Sequence, residues 1–80
     1  MDDKKKILNF LKNEIGNNEI GYKVNLIDSG VLDSLNFVKL ISKIEKKYNI
    51  KLSSYDISNK KNFTYDKLVM LILKQLKNIT

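Results

Sequence analysis

Apolar side chains recur at helical spacing in three stretches of the chain, and polar punctuation separates them. Ile7, Leu8, Leu11 and Ile15 form the first stripe, which Phe10 widens. Asp2 and Asp3 give the acidic start that suits a helix N-terminus, and Gly16, with Asn17 and Asn18 behind it, stops the element. The pattern predicts a first helix over residues 3–15. Phe37, Leu40, Ile41, Ile44 and Tyr48 make a second, tighter stripe, which predicts a helix over Ser34–Tyr48 ended by Asn49. Tyr65, Leu68, Val69, Ile72, Leu76 and Ile79 make the third, with Met70, Leu71 and Leu73 on its flanks and Thr64 as its N-cap.

The segments between the stripes are less regular. Residues 16–33 show no sustained period, and a connection that long inside a compact domain needs anchors. Val24, Leu26, Ile27, Val31 and Leu32 are the candidates to pin it to the core. Ile50-Lys51-Leu52 reads as a short extended segment with Ile50 and Leu52 facing inward. The cap-rich run that follows supports only a turn or two of helix, over Ser54–Ser58. Asn59-Lys60-Lys61-Asn62 is a polar connector, and Phe63 inserts into the core. The expected fold is all-α: a small four-helix bundle of three longer helices and one short one, with a long loop between helices 1 and 2. Residues 1–80 suffice for one small domain with a thin stability margin.

The head of the second helix concentrates the candidate chemistry. Asp28, Ser29 and Gly30 read as a turn, and Asp33 stands where an N-cap belongs. Ser34 is then a first-turn residue beside the unsatisfied N–H groups and the positive end of the helix dipole, a place that welcomes a phosphate. Asp33-Ser34 also reads simply as a helix cap. On the helical wheel Ser34 borders the apolar stripe, while Leu35 and Val38 lie off it beside Ser42 and are expected to be at least partly exposed.

Composition narrows what this chemistry can be. Cysteine and histidine are both absent, which removes disulfides, thiolate nucleophiles, the usual zinc sets and any Ser–His or Cys–His mechanism. If Ser34 reacts, another protein must activate it. The net charge is +6 and every basic residue is lysine. Such a surplus is compatible with nucleic acid, as in a small basic module of the helix-turn-helix kind, with an anionic membrane or an acidic partner, or with an AT-rich coding bias that carries no functional content. Arginine, the residue expected for bidentate reading of guanine or phosphate, is missing, which argues against nucleic acid. No apolar run is long enough to cross a bilayer, and no signal-peptide pattern precedes the first helix, so the expected location is the cytoplasm.

The run Asp28-Ser29-Gly30-Val31-Leu32-Asp33-Ser34-Leu35, followed by its helix, resembles the attachment site of acyl and peptidyl carrier proteins. The helix order and the long first loop match that family across essentially the whole chain. The resemblance implies a carrier-protein bundle with 4′-phosphopantetheine attached covalently to Ser34. It implies Asp33 as helix cap and as a help to the transferase in holding its metal, with no metal site and no catalytic residue of the chain's own. It also implies as partners a phosphopantetheinyl transferase, an adenylating ligase or acyltransferase that loads the thiol, and a downstream enzyme that removes the cargo. Leu35, Val38 and Ser42 become docking contacts, with Lys39, Lys43 and Lys46 selecting partners, and the carrier is expected to be a monomer. The segments Leu32-Asp33-Ser34 and 56–63 look most like the D-alanyl carrier proteins of cell-wall modification. One departure stands out. Fatty-acid carriers usually present acidic residues on this helix, whereas here Lys39, Lys43, Lys46 and Lys47 accompany a single acid, Glu45. A partner built to read acids meets like charges, so the cargo expected is D-alanyl or a secondary-metabolic acyl or aminoacyl group.

Overall fold

The computed structural model describes residues 3–16 and 20–79, with side chains through residue 77. Asp2, Asn17, Asn18 and the Ile79 side chain, which figure in the sequence reading, lie outside the described residues. The elements run α1 (Asp3–Ile15), α2 (Ser34–Tyr48), α3 (Ser54–Ser58), a single 3₁₀ turn (Lys60–Asn62) and α4 (Tyr65–Ile79). Among the described residues there is no strand.

Each boundary has a local cause. Gly16 ends α1 at φ 79°, and its N–H donates to the Lys12 carbonyl at 2.8 Å, the left-handed C-terminal stop that glycine adopts without penalty. Asn49 ends α2 in the same conformation, at φ 54°. There the Glu45 carbonyl accepts from the N–H groups of both Asn49 and Ile50, and the Glu45 carboxylate accepts from the Leu52 N–H at 2.8 Å. One residue therefore latches the end of α2 to the extended segment after it. Ser53 caps α3 through the Asp56 N–H at 3.0 Å, and Thr64 caps α4 through the Lys67 N–H at 3.1 Å.

The core is drawn from the three longer helices and the connections between them. Ile7 and Leu11 of α1, Phe37, Leu40, Ile41 and Ile44 of α2, and Tyr65, Leu68, Val69 and Ile72 of α4 are buried. Ile50, Leu52 and Phe63 are buried from the connections, as their inward placement required. The Phe63 ring lies 4.4 Å from that of Phe37, tilted by 50°, which ties the approach to α4 to the first turn of α2. α1 and α4 pack directly on each other.

The long first connection is stapled rather than loosely draped. Leu26 is fully buried, donates its N–H to the Phe63 carbonyl at 2.8 Å and accepts from the Leu32 N–H at 2.9 Å. Asn25 builds the turn around it: its Oδ1 accepts from the N–H groups of Ile27 and Asp28, and its Nδ2 donates to the Lys60 carbonyl at 3.2 Å. The Asp66 N–H, in the first turn of α4, donates to the Tyr22 carbonyl at 3.1 Å. Ile27, Val31 and Leu32 are half-buried against the core, as expected. Val24 is not an anchor. It is 40% exposed, because the turn closed by its N–H on the Gly21 carbonyl carries it outward. The polar connector after α3 also holds more order than its composition suggests: Asn59 caps a 3₁₀ turn through the Lys61 N–H at 3.1 Å.

Candidate functional site

The turn at residues 28–30 delivers the chain to α2. Gly30 takes φ 82°, a left-handed angle that other residues rarely adopt, and its N–H closes on the Ile27 carbonyl at 3.0 Å. Asp33 is extended, with φ −91° and ψ 175°, and its Oδ1 accepts from the Asn36 N–H at 2.7 Å. The Phe37 N–H then makes the first helical bond to the Asp33 carbonyl at 2.9 Å. This leaves the N–H groups of Ser34 and Leu35 without a partner among the described residues, at the positive end of the helix. Ser34 is exposed, and no described group bonds to its hydroxyl. A phosphodiester on that oxygen fits here without displacing a bond or entering the core.

Below Ser34, α2 presents one outward stripe. Leu35 and Val38 are 65% and 58% exposed, which is high for aliphatic side chains on a helix that otherwise buries its apolar positions. Lys39, Ser42 and Lys46 are exposed with them. At 3.6 residues per turn, these five positions fall within an arc of about 100°. Lys43 stands further round. Its Nζ pairs with Glu14 Oε1 of α1 at 2.9 Å, so its charge is engaged by the neighbouring helix. Lys47 turns the same way, over the Phe10 ring at 5.1 Å. Glu45 is held at the latch described above. Lys39 and Lys46 are the α2 lysines left on the outward stripe.

On the α1 side of α2 lies a cleft of about 240 Å³, with Glu14, Val31, Leu32, Asn36, Lys39 and Lys43 among its lining residues. Ser34 is not among its lining residues. Among the described residues no cluster of His, Cys, Asp or Glu could hold a metal ion. Residues 20–33 put a long stapled connection, not a tight turn, before α2, so α1 and α2 do not form a helix-turn-helix pair. The Glu14–Lys43 pair and the Asn25 staple escaped the sequence reading. Only the turn propensity of Asn25 could have signalled it, and nothing in the pattern joins Glu14 to Lys43.

A short helical bundle that holds a solvent-facing hydroxyl at the head of a capped helix, above an apolar and basic stripe, has the form of a protein modified there and handled by other proteins. The chain belongs to the family described as the phosphopantetheine attachment site, whose model matches residues 5–64, three quarters of the chain, covering α1 but for its first two residues and all of α2 and α3. The covalent group of this family is 4′-phosphopantetheine. No curated protein and no solved structure matches the chain. The nucleic-acid reading has no support from either the topology or the family.

Proposed function

We propose that this protein is an acyl or aminoacyl carrier whose Ser34 bears the 4′-phosphopantetheine. The observation that carries the proposal is the exposed, unbonded Ser34 hydroxyl at the head of the Asp33-capped helix, inside the matched segment. The Ser34 oxygen attacks the β-phosphorus of coenzyme A, the phosphorus–oxygen bond to the adenosine 3′,5′-bisphosphate breaks, and the serine proton passes to a base of the transferase. This chain has neither histidine nor cysteine to serve as that base. It acts as a substrate of its partners and not as an enzyme. Asp33 keeps the first turn closed and offers its second carboxylate oxygen to the transferase's metal.

When bound, the arm supplies a thiol on which the cargo rides as a thioester. Tethering raises the local concentration of that cargo at each partner. An adenylating ligase or acyltransferase loads it, and a downstream enzyme accepts it. Leu35 and Val38 form the apolar centre of the docking face, with Ser42 beside them and Lys39 and Lys46 discriminating among partners, while Lys43, expected to share that role, is drawn aside by its pair with Glu14. The lysine-rich helix favours D-alanyl or a secondary-metabolic acyl or aminoacyl cargo over housekeeping fatty acids, and the cytoplasm is where such partners work.

Intact-mass measurement after incubation with coenzyme A and a broad-specificity transferase tests the site. The expected result is the gain of one phosphopantetheine, lost in Ser34→Ala while the helical circular dichroism is unchanged. Unmodified wild-type protein, or a modified Ser34→Ala, overturns the assignment. Loading assays of the holo-protein with a D-alanine-adenylating ligase then test the cargo.

A further inference from the structure

We infer that the docking face of α2 is matched to partner proteins whose own docking rims are acidic. The inference rests on the carrier reading above and specifies the chemistry of the partner. The outward stripe joins two exposed aliphatics, Leu35 and Val38, to two free ammonium groups, Lys39 and Lys46. Of the nearby carboxylates, Glu14 is neutralised by a lysine, while Glu45 is turned toward the chain beyond α2 and Asp33 sits at the helix head. Glu45 accepts from the Leu52 N–H, Glu14 pairs with Lys43, and Asp33 accepts from the Asn36 N–H. A surface that approaches this stripe along α2 therefore meets apolar contact at its centre and positive charge along one edge.

The complementary surface is an apolar shallow bearing Asp or Glu opposite Lys39 and Lys46. Opposed charges of this kind act mainly on encounter and on the rejection of wrong partners, and salt screens them. Two exposed pairs, each modest alone, change association by about tenfold between matched and mismatched rims at low ionic strength.

The test uses one broad-specificity phosphopantetheinyl transferase as the probe, prepared in two forms whose rim positions carry either glutamate or lysine. The apo-protein and its Lys39→Glu/Lys46→Glu variant are each modified by both forms, and kcat/KM is measured at low salt and at about 0.5 M salt. The wild type is expected to favour the glutamate-rimmed form about tenfold and the double variant the lysine-rimmed form, with both preferences collapsing at high salt. Modification of Ser34 at rates indifferent to rim charge, or faster by the lysine-rimmed form, overturns the inference and leaves the carrier reading intact. Absence of modification by every form overturns the carrier reading itself. Flotation with phosphatidylglycerol vesicles closes the alternative: vesicle binding lost in the double variant, together with indifference to rim charge, assigns the stripe to a lipid surface and overturns the protein partner.

Discussion

Asp33 caps α2, and under the proposed function its carboxylate also meets the transferase's metal; a pair of substitutions separates the two roles. In Asp33→Ala the Asn36 N–H, now served at 2.7 Å, loses its acceptor, and the negative charge leaves the positive end of α2. Loss of an N-cap of this kind costs about 1 kcal/mol. For a domain of this size that is about 6 °C in melting temperature, or about 1 M in the urea midpoint. Asp33→Asn keeps an oxygen in the same place, so the cap survives and only the charge is lost. Its expected cost is a few tenths of a kcal/mol from the helix dipole. Toward the transferase the two variants should behave alike, because neither brings a carboxylate to the metal, and both should lower kcat/KM for modification of Ser34 by about tenfold or more. The assays are urea denaturation followed by circular dichroism, and modification kinetics followed by intact mass. An Asn variant as unstable as the Ala variant refutes the capping argument. An Asn variant modified at the wild-type rate refutes the role given to the charge.

Glu45→Ala strips the acceptor from the Leu52 N–H and should cost about 1–2 kcal/mol in urea melts. Lys43→Ala, which breaks only the exposed pair with Glu14, should cost less than about 1 kcal/mol in the same measurement. Leu26→Ala empties a fully buried position in the long connection and should cost about 2–5 kcal/mol, whereas Val24→Ala, at an exposed position, should be close to neutral. Burial raises the pKa of the Tyr48 and Tyr65 phenols. The folded state therefore holds these protons at a pH where the unfolded chain releases them. Stability from this source is intact below the ordinary tyrosine pKa of about 10 and falls as pH rises above it. Thermal melts across that range, with tyrosinate absorbance in parallel, should show a decline that Tyr65→Phe makes shallower.

The helices were legible because their signals are local. Asp33, Ser53 and Thr64 are cap residues standing directly before periodic or short helical runs, and each accepts the expected N–H. The exposure of Leu35 and Val38 followed from the same periodicity, since a stripe narrow enough to fill one side of the core leaves them outside it. The long connection was legible as an anchored loop but not in its detail. Outside a periodic element hydrophobicity does not give direction, so Val24 and Leu26 look alike in the sequence and differ completely in the fold. Asn25 acts through Lys60 and Leu26 through Phe63, partners more than thirty residues away that no local pattern reports. The Lys60–Asn62 turn is too short to have a period at all. Lys43 shares a helix with Lys39 and Lys46, and only the placement of α1 reveals that its charge is paired.

The stapling of residues 22–32 turns a connection that could have been a slack tether into a strut. Tyr22, Asn25 and Leu26 are bonded to the backbone of Asp66, Lys60 and Phe63, so the path from those ties to Asp33 has a fixed length. One inserted residue adds up to about 3.5 Å of contour, more than a hydrogen bond tolerates. Lengthening between Leu26 and Asp33 should therefore swing the mouth of α2 away from its seat on Phe63, even though every side chain of the docking face is unaltered. Under the proposed function, the spacing of this loop, as much as the identity of Ser34, calibrates where a visiting enzyme finds its target.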